Sequence, residues 1–145
     1  MNALTHNTRF GLVLRSGVAT ILLGSVSMAF AASDAVTLSG NDEVPAVTTS
    51  ASGTGSVKVA DDKMVSGSVT TKGITATAAH IHEGEMGKNG PVVIALTKSG
   101  EDKWVVPAGA KFSDAQYESY KAGKLYVNVH SAAHKDGEIR GQLKP

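Results

Sequence analysis

What most limits the folds open to this chain is a recurrence of short runs in which apolar and polar residues alternate. In Leu125-Tyr126-Val127-Asn128-Val129-His130 the apolar residues fall on every second position, the period of a strand with one face turned to a core. Comparable runs lie near 35–39, 54–60, 64–70, 77–83, 91–97, 103–106 and 137–143, parted by Gly, Asn, Asp and Lys. Many short strands at even spacing predict an all-β, antiparallel sandwich or barrel. Asp61-Asp62-Lys63 and Asp136-Gly137 read as tight turns between strands, because these residues tolerate turn geometry. One helix interrupts the pattern: Ser113 can cap it, Gln116 can complete a capping box and Gly123 can stop it, so it is expected to cross one end of the sandwich. Tyr117 and Tyr120 would pack that helix onto the sheet, and Trp104 with Val105 and Val106 reads as core. The stretch Asn41 to Gly55, rich in Thr, Ser, Ala and Gly, is predicted to loop along an edge.

The N-terminus has a different composition. Arg9 and Arg15 precede an apolar run from Val18 to Ala32 that ends in Ala29-Phe30-Ala31, the order of charge, short apolar core and small-residue site found in a cleavable signal peptide. The run is shorter than the roughly 20 apolar residues that span a bilayer, so residues 1–31 are expected to be removed. Residues 32–145 are then a single exported domain, periplasmic or secreted, with no membrane attachment. With no cysteine, neither a lipid anchor nor a disulfide supports it. Of 14 basic residues, Arg9 and Arg15 leave with the leader, against 13 acidic residues that remain, so the formal charge moves from +1 to −1. A near-neutral chain without basic clusters does not fit a nucleic-acid partner.

Four histidines remain: His80, His82, His130 and His134. In Ala79-His80-Ile81-His82 alternation puts Ala79 and Ile81 on one face and both imidazoles on the other, and His130 falls likewise opposite Leu125, Val127 and Val129. Side chains at i and i+2 sit roughly 7 Å apart, close enough for two imidazoles to reach one metal ion at about 2 Å. If the two strands are neighbours, His130 is a third ligand. Imidazole is neutral near pH 7 and suits copper and zinc, and a thiolate-free set suits an oxidising compartment. Copper is favoured, with zinc second. The competing reading is that strand histidines are solvated or hydrogen-bonded and bind nothing, and the pattern alone leaves both open. His134, in the Ser131–Gly137 loop, is a possible fourth ligand or a solvated side chain. Glu83 and Glu85 are candidates to orient a ring nitrogen. Gly84, Gly87, Asn89, Gly90 and Pro91 form a compact turn rather than a phosphate cradle, since no helix follows. No nucleophile-elbow sequence is present and the acidic pairs fall in turns, so no catalytic residue is assigned.

From Val36 to Leu143 the chain resembles the CHRD domain, named for its occurrence in chordin. The matching pieces are Leu38-Ser39-Gly40 with Glu43-Val44-Pro45, His80-Ile81-His82-Glu83-Gly84 with Asn89-Gly90-Pro91-Val92-Val93, and Tyr126 to His130 with Gly137 to Gln142. The resemblance implies an immunoglobulin-like or related β-sandwich and carries no settled biochemical role for bacterial members. A looser likeness joins Gly67-Ser68-Val69, Gly73-Ile74-Thr75 and His80 to Glu83 to the copper-ligand strand of copper–zinc superoxide dismutases, a Greek-key sandwich. It implies copper at His80, His82 and His130, with Arg140 either in place of the arginine that guides the anion or, since its spacing from His130 is short, in a salt bridge to a neighbouring strand. Departures are Val92 where that family has a bridging histidine, no zinc loop and no cysteines. Three functions follow: a metal-handling module, a dismutase-like copper oxidoreductase, or a non-catalytic domain that meets another exported protein.

Overall fold

The computed structural model describes residues 35–145; the expected signal peptide at 1–31 lies outside the described residues. The domain is all-β with one short helix. The strands are β1 (Ala35–Ser39), β2 (Ser52–Val59), β3 (Val65–Lys72), β4 (Ala76–Glu83), β5 (Val92–Ala95), β6 (Thr97–Lys98), β7 (Lys103–Val105), β8 (Leu125–Ser131) and β9 (Ile139–Gln142), with helix α1 (Asp114–Lys121) between β7 and β8. Every pairing is antiparallel, and the strands run β5-β4-β8-β9-β1-β2-β3-β7-β6 across one sheet.

The two edges of that sheet, β5 and β6, are consecutive in the chain and separated by Leu96 alone. A one-residue connection can span only a few ångströms, so the edges meet and the sheet curls round on itself. Opposing faces then pack across one core in the manner of a sandwich. The alternating run at 91–97, expected as one strand, is thus divided. Leu96 is buried and its N–H bonds the Ala79 carbonyl at 2.9 Å, and at this point the chain leaves β4 and turns to pair with β7.

The alternation does place the core. Val36, Leu38, Val69, Ala79, Ile81, Leu125, Val127, Val129 and Ile139 join one buried cluster with Trp104. Each aliphatic side chain taken fully from water contributes about 1.5–3 kcal/mol. Asp61 and Asp62 form the β2–β3 turn, with Lys63 at φ 71° closing it through its N–H to the Ala60 carbonyl. Ser113 caps α1 through its side chain on the Gln116 N–H, and Gln116 reaches back to the Ser113 N–H. Gly123 follows at φ 70°, a left-handed position that suits glycine. Tyr120 is buried and lies 6.3 Å from Phe112, centroid to centroid.

The opposite face of β8 departs from expectation. Tyr126, Asn128 and His130 were expected away from the core, and they are, yet every residue of β8 is buried. Three loops cover that face. The 40–49 segment, rather than following an edge, brings Glu43 onto Asn128, whose Nδ2 donates to Oε1 at 2.7 Å. The 84–91 loop lays its Gly90 carbonyl on His82, and the 131–138 hairpin lays its Lys135 carbonyl on His130. The loops are also tied to each other, Asn89 Nδ2 donating to the Val44 carbonyl at 2.7 Å. The domain therefore has an apolar layer inside the curled sheet and a polar layer beneath these loops.

Candidate metal centre

The histidine-bearing strands are neighbours. β4 pairs with β8 so that His80 lies opposite Asn128, Ala78 opposite His130 and His82 opposite Tyr126. His80 and His130 are diagonal across the pair, a separation their rings can bridge. Ring centroids are 4.8 Å apart for His80 and His130, 5.5 Å for His80 and His82, and 5.9 Å for His82 and His130. One nitrogen from each ring lies within 4.8 Å of the other two, so a single ion can be reached by all three with small side-chain rotations. His134 stays outside this group; its backbone N–H is held by the Ser131 hydroxyl in the hairpin.

The hydrogen bonds determine which nitrogens face the common point. His82 Nδ1 is 2.9 Å from the Gly90 carbonyl, and His130 Nδ1 is 2.9 Å from that of Lys135. A carbonyl can only accept, so both Nδ1 atoms carry the proton and both Nε2 atoms present a lone pair when the ring is neutral. His130 Nε2 accepts from His80 Nδ1 at 2.9 Å. His82 Nε2 is buried with no hydrogen-bond partner, an arrangement that costs about 1–3 kcal/mol when left unmet. Carbonyls that hold the far nitrogen of each ring are the usual support of histidine metal ligands. A metal ion at this point would replace the proton shared by His80 and His130 and satisfy His82 Nε2, so the residues fit the group.

Burial, together with the neighbouring imidazoles, holds the His80 ring below its ordinary pKa. Burial also lowers His82, opposed by its bond to Gly90. Both effects keep these rings neutral at pH 7, the form that binds metal. Glu83 and Glu85, expected as orienting acceptors, do not touch the rings. Glu83 accepts from the Ser119 hydroxyl at 2.6 Å and Glu85 pairs with Lys124 at 2.9 Å on the surface; backbone carbonyls take the orienting role because the loops, not the strand end, cover the imidazoles.

The Tyr126 ring stacks on His82 at 5.0 Å with 12° between planes. On its other side the Arg140 guanidinium carbon sits 3.5 Å from the ring centroid, since β8 lies between β4 and β9. Arg140 is 1% exposed. It shares a pocket of about 220 Å³ with Thr37, Asp42, Met86 and Lys144, which none of the three histidines lines. The Tyr126 ring thus lies between Arg140 and His82.

The CHRD domain family matches residues 35–143. The chain belongs to the CHRD domain family. No curated protein and no solved structure matches it closely enough to add a named relative. The match spans the whole curled sheet, and the CHRD motifs read from the sequence are the pieces of the polar layer. Glu43 comes from the first motif, His82 and Gly90 from the second, and Asn128, His130 and Arg140 from the third. Sequence reasoning gave Glu43 and Asn128 no role. Their signal was present in this CHRD domain as polar residues on the far face of an apolar strand and beside a Val-Pro turn, but nothing local says that a loop will bury them.

Proposed function

We propose that this protein is an exported copper-binding domain, with His80, His82 and His130 as ligands, acting in metal handling. The observation that carries the reading is the pinning of His82 and His130 through Nδ1 by backbone carbonyls, with one nitrogen of each of the three rings inside a 4.8 Å group. A set of three neutral imidazoles without carboxylate or thiolate favours copper over the other divalent ions of the series, with zinc second. Export is supported by the charge and apolar pattern of residues 1–31. It is tested by N-terminal sequencing of the protein from the periplasmic and extracellular fractions, where a chain starting at Ala32 is expected and an intact Met1 terminus would refute cleavage.

The binding test is a copper(II) titration of metal-free protein followed by calorimetry and electron paramagnetic resonance. One tight site with nitrogen couplings is expected, absent in His82→Ala. Weak binding that survives the substitution would sink the proposal and turn attention to protein partners.

A further inference from the structure

Arg140 is an unusual place to keep a positive charge. It is 1% exposed, and burying a guanidinium ordinarily calls for a carboxylate against it. None of the ion pairs among the described residues includes it. Its donors go instead to uncharged acceptors: the Glu85 carbonyl at 2.9 Å, Gln142 Oε1 at 3.2 Å and Asn89 Oδ1 at 3.4 Å. What it does touch is the Tyr126 ring at 3.5 Å, which stacks in turn on His82. The cation is thus held one aromatic ring away from a proposed ligand.

We propose that Arg140 sets the charge preference of the metal centre, favouring copper(I) over copper(II) at His80, His82 and His130. This rests on the copper reading of the site given above. The physical reason is Coulombic. A fixed unit charge repels a divalent ion twice as strongly as a monovalent one at the same point. No ligand is anionic, so nothing among the ligands offsets that difference; the carboxylates of Glu43 and Asp42, which act on Arg140 without an ion pair, reduce its net field. With an effective dielectric near 20 and a separation on the order of 10 Å, the extra unit of ion charge corresponds to about a tenfold change in relative affinity. Tyr126 matters as the spacer: its ring keeps the guanidinium from drawing a carboxylate or water toward His82 and presents its face to the cation. Arg140 here is a positioning and selectivity residue that acts on the ion through space and through this stack.

The test measures copper(I) and copper(II) affinities of the full protein by competition with chelators of known strength, for the wild type, Arg140→Gln, Arg140→Lys and Asn89→Asp. Asn89 is exposed, so Asn89→Asp sets a carboxylate against the guanidinium from the surface, with loss of the Asn89 Nδ2 bond to the Val44 carbonyl, and it covers the case in which Arg140→Gln fails to fold. The ratio of copper(I) to copper(II) affinity is expected to fall about tenfold in Arg140→Gln, to fall in the same direction in Asn89→Asp and to hold within a few-fold in Arg140→Lys. A ratio unchanged in Asn89→Asp, or unchanged in a folded Arg140→Gln, while the wild type still binds copper tightly, overturns the role of Arg140 alone. Failure of the wild type to bind either ion overturns the copper reading itself.

Discussion

At the scale of single residues, the candidate centre depends on backbone atoms as much as on side chains. Gly90 is the clearest instance. A Cβ at that position would lie 1.6 Å from the Glu83 carbonyl oxygen, and this backbone contact cannot yield without moving the loop. The Gly90 carbonyl receives His82 Nδ1 and its N–H donates to the Tyr126 hydroxyl at 3.1 Å. Gly90→Ala is therefore expected to lower copper affinity about 10–100-fold, the usual cost of losing a ligand's orienting partner, while all three histidines remain. Calorimetry on the folded variant checks this, and affinity equal to wild type would show that the carbonyl does not orient the ring. The residue types of this site are legible in the parity of two strands. Their partners are not, because Gly90 and Lys135 act through carbonyls that every residue carries.

At the scale of elements, local signals and the structure agree best where few residues decide the outcome. The capping box on α1 needs only Ser113 and Gln116, and both bonds are present. Ser113→Ala is expected to reduce stability by about 1 kcal/mol, read as a lower urea midpoint at unchanged slope. No effect would mean that packing of Tyr120 and Phe112 holds the first turn unaided. Leu96 is decided at longer range. Its run reads as continuous strand, yet it is where the chain changes partners from β4 to β7. Leu96→Ala is expected to cost about 2–5 kcal/mol, measured by denaturant unfolding, because the residue both fills core and joins the two edges of the sheet. A loss below about 1 kcal/mol would show that the junction is held by its backbone bond alone.

At the scale of the whole molecule, the buried polar layer makes stability depend on pH. Glu43 is 6% exposed, and burial pushes its pKa up to about 7 from an ordinary 4.5, against the opposing hydrogen bond from Asn128 and the field of Arg140. The folded state thus holds this proton more tightly than the unfolded chain does. The contribution is fully present below about pH 4.5 and is lost as pH rises through about 7. Glu43→Gln, which keeps the shape and removes the titration, is expected to flatten that decline and to exceed the wild type by on the order of 2 kcal/mol at pH 8. Urea unfolding at pH 5 and 8 measures it; parallel pH curves for the two proteins would place the titration elsewhere. In the same experiment, saturating copper is expected to raise the unfolding midpoint of the wild type, since an ion bound only by the folded state stabilises it by mass action.

The amino-acid sequence by itself determined the all-β antiparallel class, the strands to within a few residues, the capped helix, the apolar layer and the side of the sheet on which His80, His82 and His130 lie. These follow from local rules: alternation at period two, turn residues and a cap motif act over fewer than ten residues. Tertiary structure alone decided that β4 and β8 are neighbours, that the sheet curls until β5 and β6 meet, and that three loops close over the polar face. Glu43, Asn128 and Arg140 acquire their roles only there. Strand order and loop cover are set by contacts between residues far apart in the chain, where burial of the whole surface, rather than any local preference, selects the arrangement.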